Sequence, residues 1–283
     1  MTPPQDIDSL LESVVSLPGL PGIIARALSM LDNPDSSLHD VGELLSTDPG
    51  TAARVLRMAN SAAYGLRHQV TSVEHAVPML GASAVRNVCI GATALEHLKR
   101  GATAFVRHSV SSGVLMEILT RTSTKVESSP DEAFIYGVLH KLGMLIFLEH
   151  MPKECELSRS VARDRSIPLY RAEREVIGAD YAEMGSRLAK HWELPDGIVG
   201  AIAGQHEVAR CEDPRYQPVA ALLQVANVIC MAAGLHSDPE DTSTIEPEAW
   251  EQTGLTNAAL VSVLGEFFEA LPGVDALVAD MVN

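Results

Sequence analysis

Apolar residues recur every three or four positions along most of the chain, and no stretch alternates apolar and polar residues as a half-buried strand would. The pattern predicts an all-α fold. A leading helix is expected over Asp6–Val15, before breaks at Pro18 and Pro21. Helices follow over Gly22–Leu31, Leu38–Ser46 and from Pro49 to about Asn60. Asn33-Pro34 ends the first of these. Ser37 and Asp48 stand where N-caps belong, and Pro49 suits a first helical position. After a connection over Tyr64–Val70, Ser72 caps Val73–Leu80, Gly81 stops it, and Ser83 opens Ala84–Lys99.

The second half predicts longer helices: Ala104–Thr122, Pro152–Asp164, Leu169–Ile177, Tyr181–Trp192 capped by Asp180, Asp196–Glu207 and the strongly apolar Val219–Ala233. His236–Glu248 is acidic and rich in Ser, Thr and Pro, and reads as a loop or linker. Asn257–Ala270 and Val274–Val282 read as a closing helical hairpin around Pro272-Gly273. Its apolar stripe (Leu260, Val263, Leu264, Phe267, Phe268) suits either docking or capping of the core.

One stretch departs from amphipathic spacing. Ala133–Leu148 is apolar on all sides, which predicts a buried central helix. Ser128 or Ser129 starts it, and Asp131 and Glu132 suit its N-terminal dipole. Within it, the only ionisable side chains besides Tyr136 are His140 and Lys141. A buried charge needs a partner or a route to water. Lys141 either pairs with a carboxylate such as Asp180 or Glu183, or runs its aliphatic stem out to solvent.

The small and apolar residues leading into His140-Lys141-Leu142-Gly143 resemble the signature helix of the HD metal-dependent phosphohydrolases. Further motifs narrow the resemblance to the HDOD domain, the bacterial signalling relative of those enzymes. They are Leu17-Pro18-Gly19-Leu20-Pro21, Thr47-Asp48-Pro49, Arg54 to Ser61 with its Ala-Asn-Ser ending, Tyr64-Gly65-Leu66, Ser72 to Val77, and Leu80-Gly81. The resemblance spans 17–234. It implies a helical lobe over 17–101 and an HD-like lobe over 102–234, with a leader over 1–16 and an acidic linker plus helical hairpin over 235–283.

By that resemblance, metal ligands of an HD hydrolase would fall at His108, at the pair occupied by His140 and Lys141, and on the late apolar helix at Asn227. Tyr181 would stand in place of a further histidine, and Gln205-His206 would keep one member of a His-His pair. A divalent cation prefers anionic oxygens and neutral imidazoles. Lys141 instead brings an ammonium with no acceptor, and Asn227 offers a carbonyl without charge. No bound metal and no catalysis are therefore expected, and His108, His140, His206, Lys141 and Asn227 read as vestiges of the site.

Composition adds limits. A net charge of −16 over 283 residues argues against a broad nucleic-acid footprint. Cys89, Cys155, Cys211 and Cys230 are widely spaced without a Cys-x-x-Cys, which suits reduced thiols in a cytoplasm. No signal-peptide pattern and no convincing membrane span are visible. Arg54 and Arg57 are candidate contacts for a phosphate or an acidic partner, against the plainer reading of a solvated helix face, and Arg86 at a helix start is a candidate anion contact or a residue of the junction between the lobes.

The resemblance implies a non-catalytic signalling adaptor working by protein–protein contact, with a kinase, cyclase, phosphodiesterase or regulator as partner and no cofactor. Two rivals remain: a sensor binding a phosphate-containing nucleotide among His108, His140, Lys141 and His206, and a metal-dependent phosphohydrolase.

Overall fold

A computed structural model describes residues 22–60, 70–98, 103–192 and 194–282. The expected leading helix and the Tyr64-Gly65-Leu66 motif lie outside these residues, as do the side chains of Arg54 and Arg57. Among the described residues every regular element is helical. Contacts divide the chain into two compact units, 18–97 and 98–283.

The first unit holds α1 (Gly22–Asp32), α2 (Leu38–Ser46), α3 (Pro49–Ala59) and α4 (Val73–Leu98). Local signals place these helices. Ser37 accepts from the Asp40 amide while Asp40 accepts from the Ser37 amide, a closed capping box. Asp48 accepts from the Thr51 amide at 2.7 Å. Gly81 adopts φ 80°, a conformation glycine tolerates, and breaks α4 into two parts. Asn60 clamps the chain at Val70, donating to its carbonyl at 2.8 Å and accepting from its amide at 2.9 Å. Ile24, Val41, Leu45, Val55, Val77 and Val85 form the apolar interior. Met79 is exposed.

The second unit contains α5 (Thr103–Thr122), α6 (Pro130–Leu139), α7 (Leu142–His150), α8 (Pro152–Arg165), α9 (Leu169–Val176), α10 (Tyr181–His191), α11 (Asp196–Ala203), α12 (Gln217–Ala232), α13 (Pro247–Thr253) and α14 (Asn257–Val282). The central apolar stretch is not one straight helix. It is broken at His140-Lys141, where Lys141 takes φ −96° and ψ 9°. The carbonyl that His140 would have given to the next helical turn accepts instead from Gln205 Nε2 at 2.8 Å. The break lets α6 pack on α5 and α7 on α10.

Glycines set both crossings. A Cβ on Gly137 would stand 2.6 Å from Gly113 Cα of α5, and a Cβ on Gly143 would overlap the Tyr181 carbonyl of α10. The helix backbones touch on either side of His140-Lys141, so this dipeptide is fixed in the interior. By composition the stretch 132–150 could cross a membrane, but it is 78% buried inside the fold.

Two expectations for the tail are corrected. Asn257–Val282 is one helix with Pro272 inside it, not a hairpin. Proline removes one amide donor. Against that single lost bond, Val274 and Val278 are buried beyond it and Asp275 grips Arg107, whose Nε donates at 2.6 Å. The segment read as a linker is also structural. It contains α13 and two buried carboxylates, Asp238 and Asp241.

Candidate functional site

Three of the positions singled out by the family resemblance, His108, His140 and Lys141, are brought together around the α6–α7 break. His108 Nδ1 lies 2.6 Å from the Leu235 carbonyl oxygen, and His140 Nδ1 lies 2.6 Å from the Gly137 carbonyl oxygen. A carbonyl accepts only, so both Nδ1 atoms carry the hydrogen. The two Nε2 atoms then face one another at 3.1 Å with their lone pairs converging. Burial first, and the positive charge of Lys141 second, lower the His108 pKa to about 4 and hold His140 well below the ordinary histidine value.

Lys141 is fully buried, with 0% exposure, so it does not run out to solvent. Its Nζ donates to the Tyr181 hydroxyl at 2.5 Å and to the Asp241 carboxylate. Asp241 is itself buried. Burial pushes its carboxyl up, but the charge and hydrogen bond of Lys141 outweigh that and hold it below the usual carboxylate value. Neither Asp180 nor Glu183 partners Lys141. Asp180 accepts from Arg174 Nε at 2.6 Å and from Arg210, while Glu183 pairs with Arg187 at 2.7 Å.

His206 stacks on Tyr170, ring centroids 4.2 Å apart, and meets Tyr181 edge-on at 4.9 Å. Burial lowers its pKa to about 4. Asn227 donates to Ser243 Oγ at 3.1 Å. Glu173, which the sequence does not single out, accepts from the Tyr181 amide at 2.9 Å. Burial raises its pKa well above the carboxylate norm. Arg86 forms an ion pair with Asp32 in the first unit. A cavity of about 250 Å³ in the second unit is lined by Tyr136, Gly197, Arg215 and Tyr216 among others, and His108, His140, Lys141, His206 and Asn227 do not border it.

The His108 and His140 rings keep the orientation of metal ligands, with each Nδ1–H held by a carbonyl. The remaining donors do not fit a divalent ion. Asp241 already has its charge matched by Lys141, Asn227 is neutral, and the ammonium would repel the cation. Among the described residues no group of three or more His, Cys, Asp or Glu side chains is disposed to hold a metal.

The key residue missed by sequence reasoning is Asp241. It stands 100 positions from Lys141 in a segment whose composition signals a loop, so no local pattern marks it.

The comparisons agree with this architecture. An uncharacterized protein of Treponema pallidum (strain Nichols) is 23% identical over 223 residues, and the match covers 78% of this chain but only 43% of that protein. An HDOD domain protein of unknown function from Geobacter sulfurreducens superposes with a TM-score of 0.74 at 21% identity, covering 98% of this chain and 99% of that one. A candidate phosphohydrolase from Shewanella amazonensis SB2B superposes at 0.72 with 26% identity, covering 97% and 98%. The family model of the HDOD domain matches residues 17–208, more than half of the chain. With these matches and the helical architecture around the His140-Lys141 pair, the chain belongs to the HDOD domain family.

Proposed function

We propose that this chain is a non-catalytic signalling adaptor that acts by binding other signalling proteins, among them a kinase, cyclase, phosphodiesterase or regulator. One observation carries the reading. The position that would give an acidic metal ligand holds Lys141, and the ammonium is locked onto Asp241 and Tyr181 in the interior. A hydrolytic metal would need the Asp241 carboxylate free of that ammonium. The same lock weighs against nucleotide sensing at this point, because a phosphate would have to displace a buried carboxylate to reach Lys141.

The test is a paired measurement on the purified full chain. Hydrolysis of a chromogenic phosphodiester with added Mn²⁺ or Mg²⁺ should not exceed buffer, and tagged protein should recover a defined signalling partner from lysate of its own organism. Turnover abolished by His108→Ala would overturn the non-catalytic reading. Calorimetry with cyclic dinucleotides and guanosine tetraphosphate should give no heat of binding; saturable heat lost in Lys141→Met would favour the sensor instead.

A further inference from the structure

Of the positions singled out by the family resemblance, His108, Lys141 and Asn227 take partners from one short segment. The Leu235 carbonyl oxygen meets His108 Nδ1 at 2.6 Å, Asp241 meets Lys141, and Ser243 Oγ accepts from Asn227 at 3.1 Å. The segment therefore lies across these side chains as a cover. Its two ends are fixed by apolar packing. Leu235 is buried directly after Gly234, which adopts φ 76°. Ile245 packs against Val208, Ala221 and Ala249.

Between those ends the grip is electrostatic. Pro239 is the one apolar residue of 236–244, and it is exposed. Asp238 accepts from Arg159 Nε at 2.7 Å and Glu240 accepts from Arg163 Nε at 2.9 Å, both arginines standing on α8. With Asp241 on Lys141, the carboxylates of 238–241 hold the segment down through three ion pairs. A segment fastened this way opens easily. When it lifts, the charges on both sides regain water, so only the small net worth of each pair is lost. Its own side chains give up no apolar burial, and its backbone gains conformational freedom. The helices beneath are held by apolar packing and need not move.

We propose that residues 236–244 form a strap that opens as one unit between Leu235 and Ile245 while the helices stay packed, and that its position decides whether Lys141 and Asn227 are sealed or in contact with water.

Hydrogen exchange on the full chain tests this directly. The Glu240 and Asp241 amides bond within the strap, to Asp238 Oδ1 at 3.0 Å and to the Asp238 carbonyl at 3.1 Å, and report its closure. They should be protected about a thousandfold, well below the amides of α5 and α12. Urea at about 1 M should leave their exchange unchanged, because little surface is exposed on opening, and should speed that of the α5 and α12 amides. Sodium chloride at about 1 M should speed the strap about tenfold relative to those helices. The Asp238→Asn/Glu240→Gln double variant should do the same in low salt, with the α5 and α12 amides unchanged. Acylation of the Lys141 amine by a water-soluble active ester, followed by mass spectrometry, should rise about tenfold in that variant too, since the reagent reaches Lys141 only past the strap. Strap and helix amides exchanging together with one urea dependence would overturn the proposal. So would strap exchange indifferent to both salt and the double substitution, unprotected Glu240 and Asp241 amides in the wild type, or Lys141 acylation that ignores the double substitution.

Discussion

Lys141 is the residue on which the interior turns. Its ammonium and the Asp241 carboxylate are both buried, and each is tolerable only because the other is present. Lys141→Met should therefore destabilise the chain by about 3–5 kcal/mol in urea unfolding, because Asp241 would be left charged and unpaired. Adding Asp241→Asn should recover most of that loss. An unchanged unfolding midpoint in Lys141→Met would show that the pair is dispensable. Glu173 supplies a second test. Its folded pKa is raised, so its contribution is full below the ordinary carboxylate value near 4.5 and is lost as pH rises. Glu173→Gln keeps an acceptor for the Tyr181 amide without that loss. The variant should match wild type near pH 4 and gain on it by up to about 1.4 kcal/mol per pH unit above 4.5, until the folded pKa is passed. A gap that does not widen with pH would refute the assignment.

At the scale of elements, helix crossings and helix ends decide the geometry. Gly143 of α7 meets the Tyr181 carbonyl and the Gly185 amide of α10 without room for a methyl group. Gly143→Ala should cost about 3 kcal/mol, since backbone cannot yield as a flexible side chain can. Gly265 of α14 is its opposite, with open space around it. Gly265→Ala should raise stability by about 1 kcal/mol through helix propensity alone. Thermal melts of the two variants should move in opposite directions; a shift of the same sign would mean that one of the two environments is misassigned. The caps at Ser37, Asp48 and Asp180 were legible because a cap is a local hydrogen bond, formed within three residues. The continuity of α14 through Pro272 was not, because a local breaker signal is overridden by the burial of Val274 and Val278 in distant packing.

Taken as a whole, the second unit buries three neutral histidines in one neighbourhood. His108, His140 and His206 all have folded pKa values below the ordinary 6.5. A depressed folded value means that stability is present above 6.5 and is lost as pH falls toward about 4, while the unfolded chain takes up protons the fold refuses. Glu173 runs the other way above its ordinary value of 4.5 and offsets part of this loss. The net expectation is a loss of stability on acidification below 6.5, shallower once the histidines begin to protonate in the fold. Urea titrations at stepped pH would measure it. His206→Phe, which can keep the stacking on Tyr170, should reduce the slope by about one proton; a slope unaffected by that change would place the linkage elsewhere.

The helical class, most caps, the Gly81 break, the buried character of 133–148 and the conflict posed by a lysine within it follow from the sequence by itself. So do the HDOD family motifs and the presence of Lys141 and Asn227 where the resemblance expects acidic residues. All of these reside in periodicity, composition or short motifs, which depend on neighbours along the chain. Tertiary structure alone decided how the conflict is resolved. It bent the central helix at His140-Lys141, turned the imidazoles toward each other and brought Asp241 across 100 residues to meet the ammonium. Local sequence carries no record of such a pairing, because its energy comes from removing both groups from water together, and that happens only once the helices have packed.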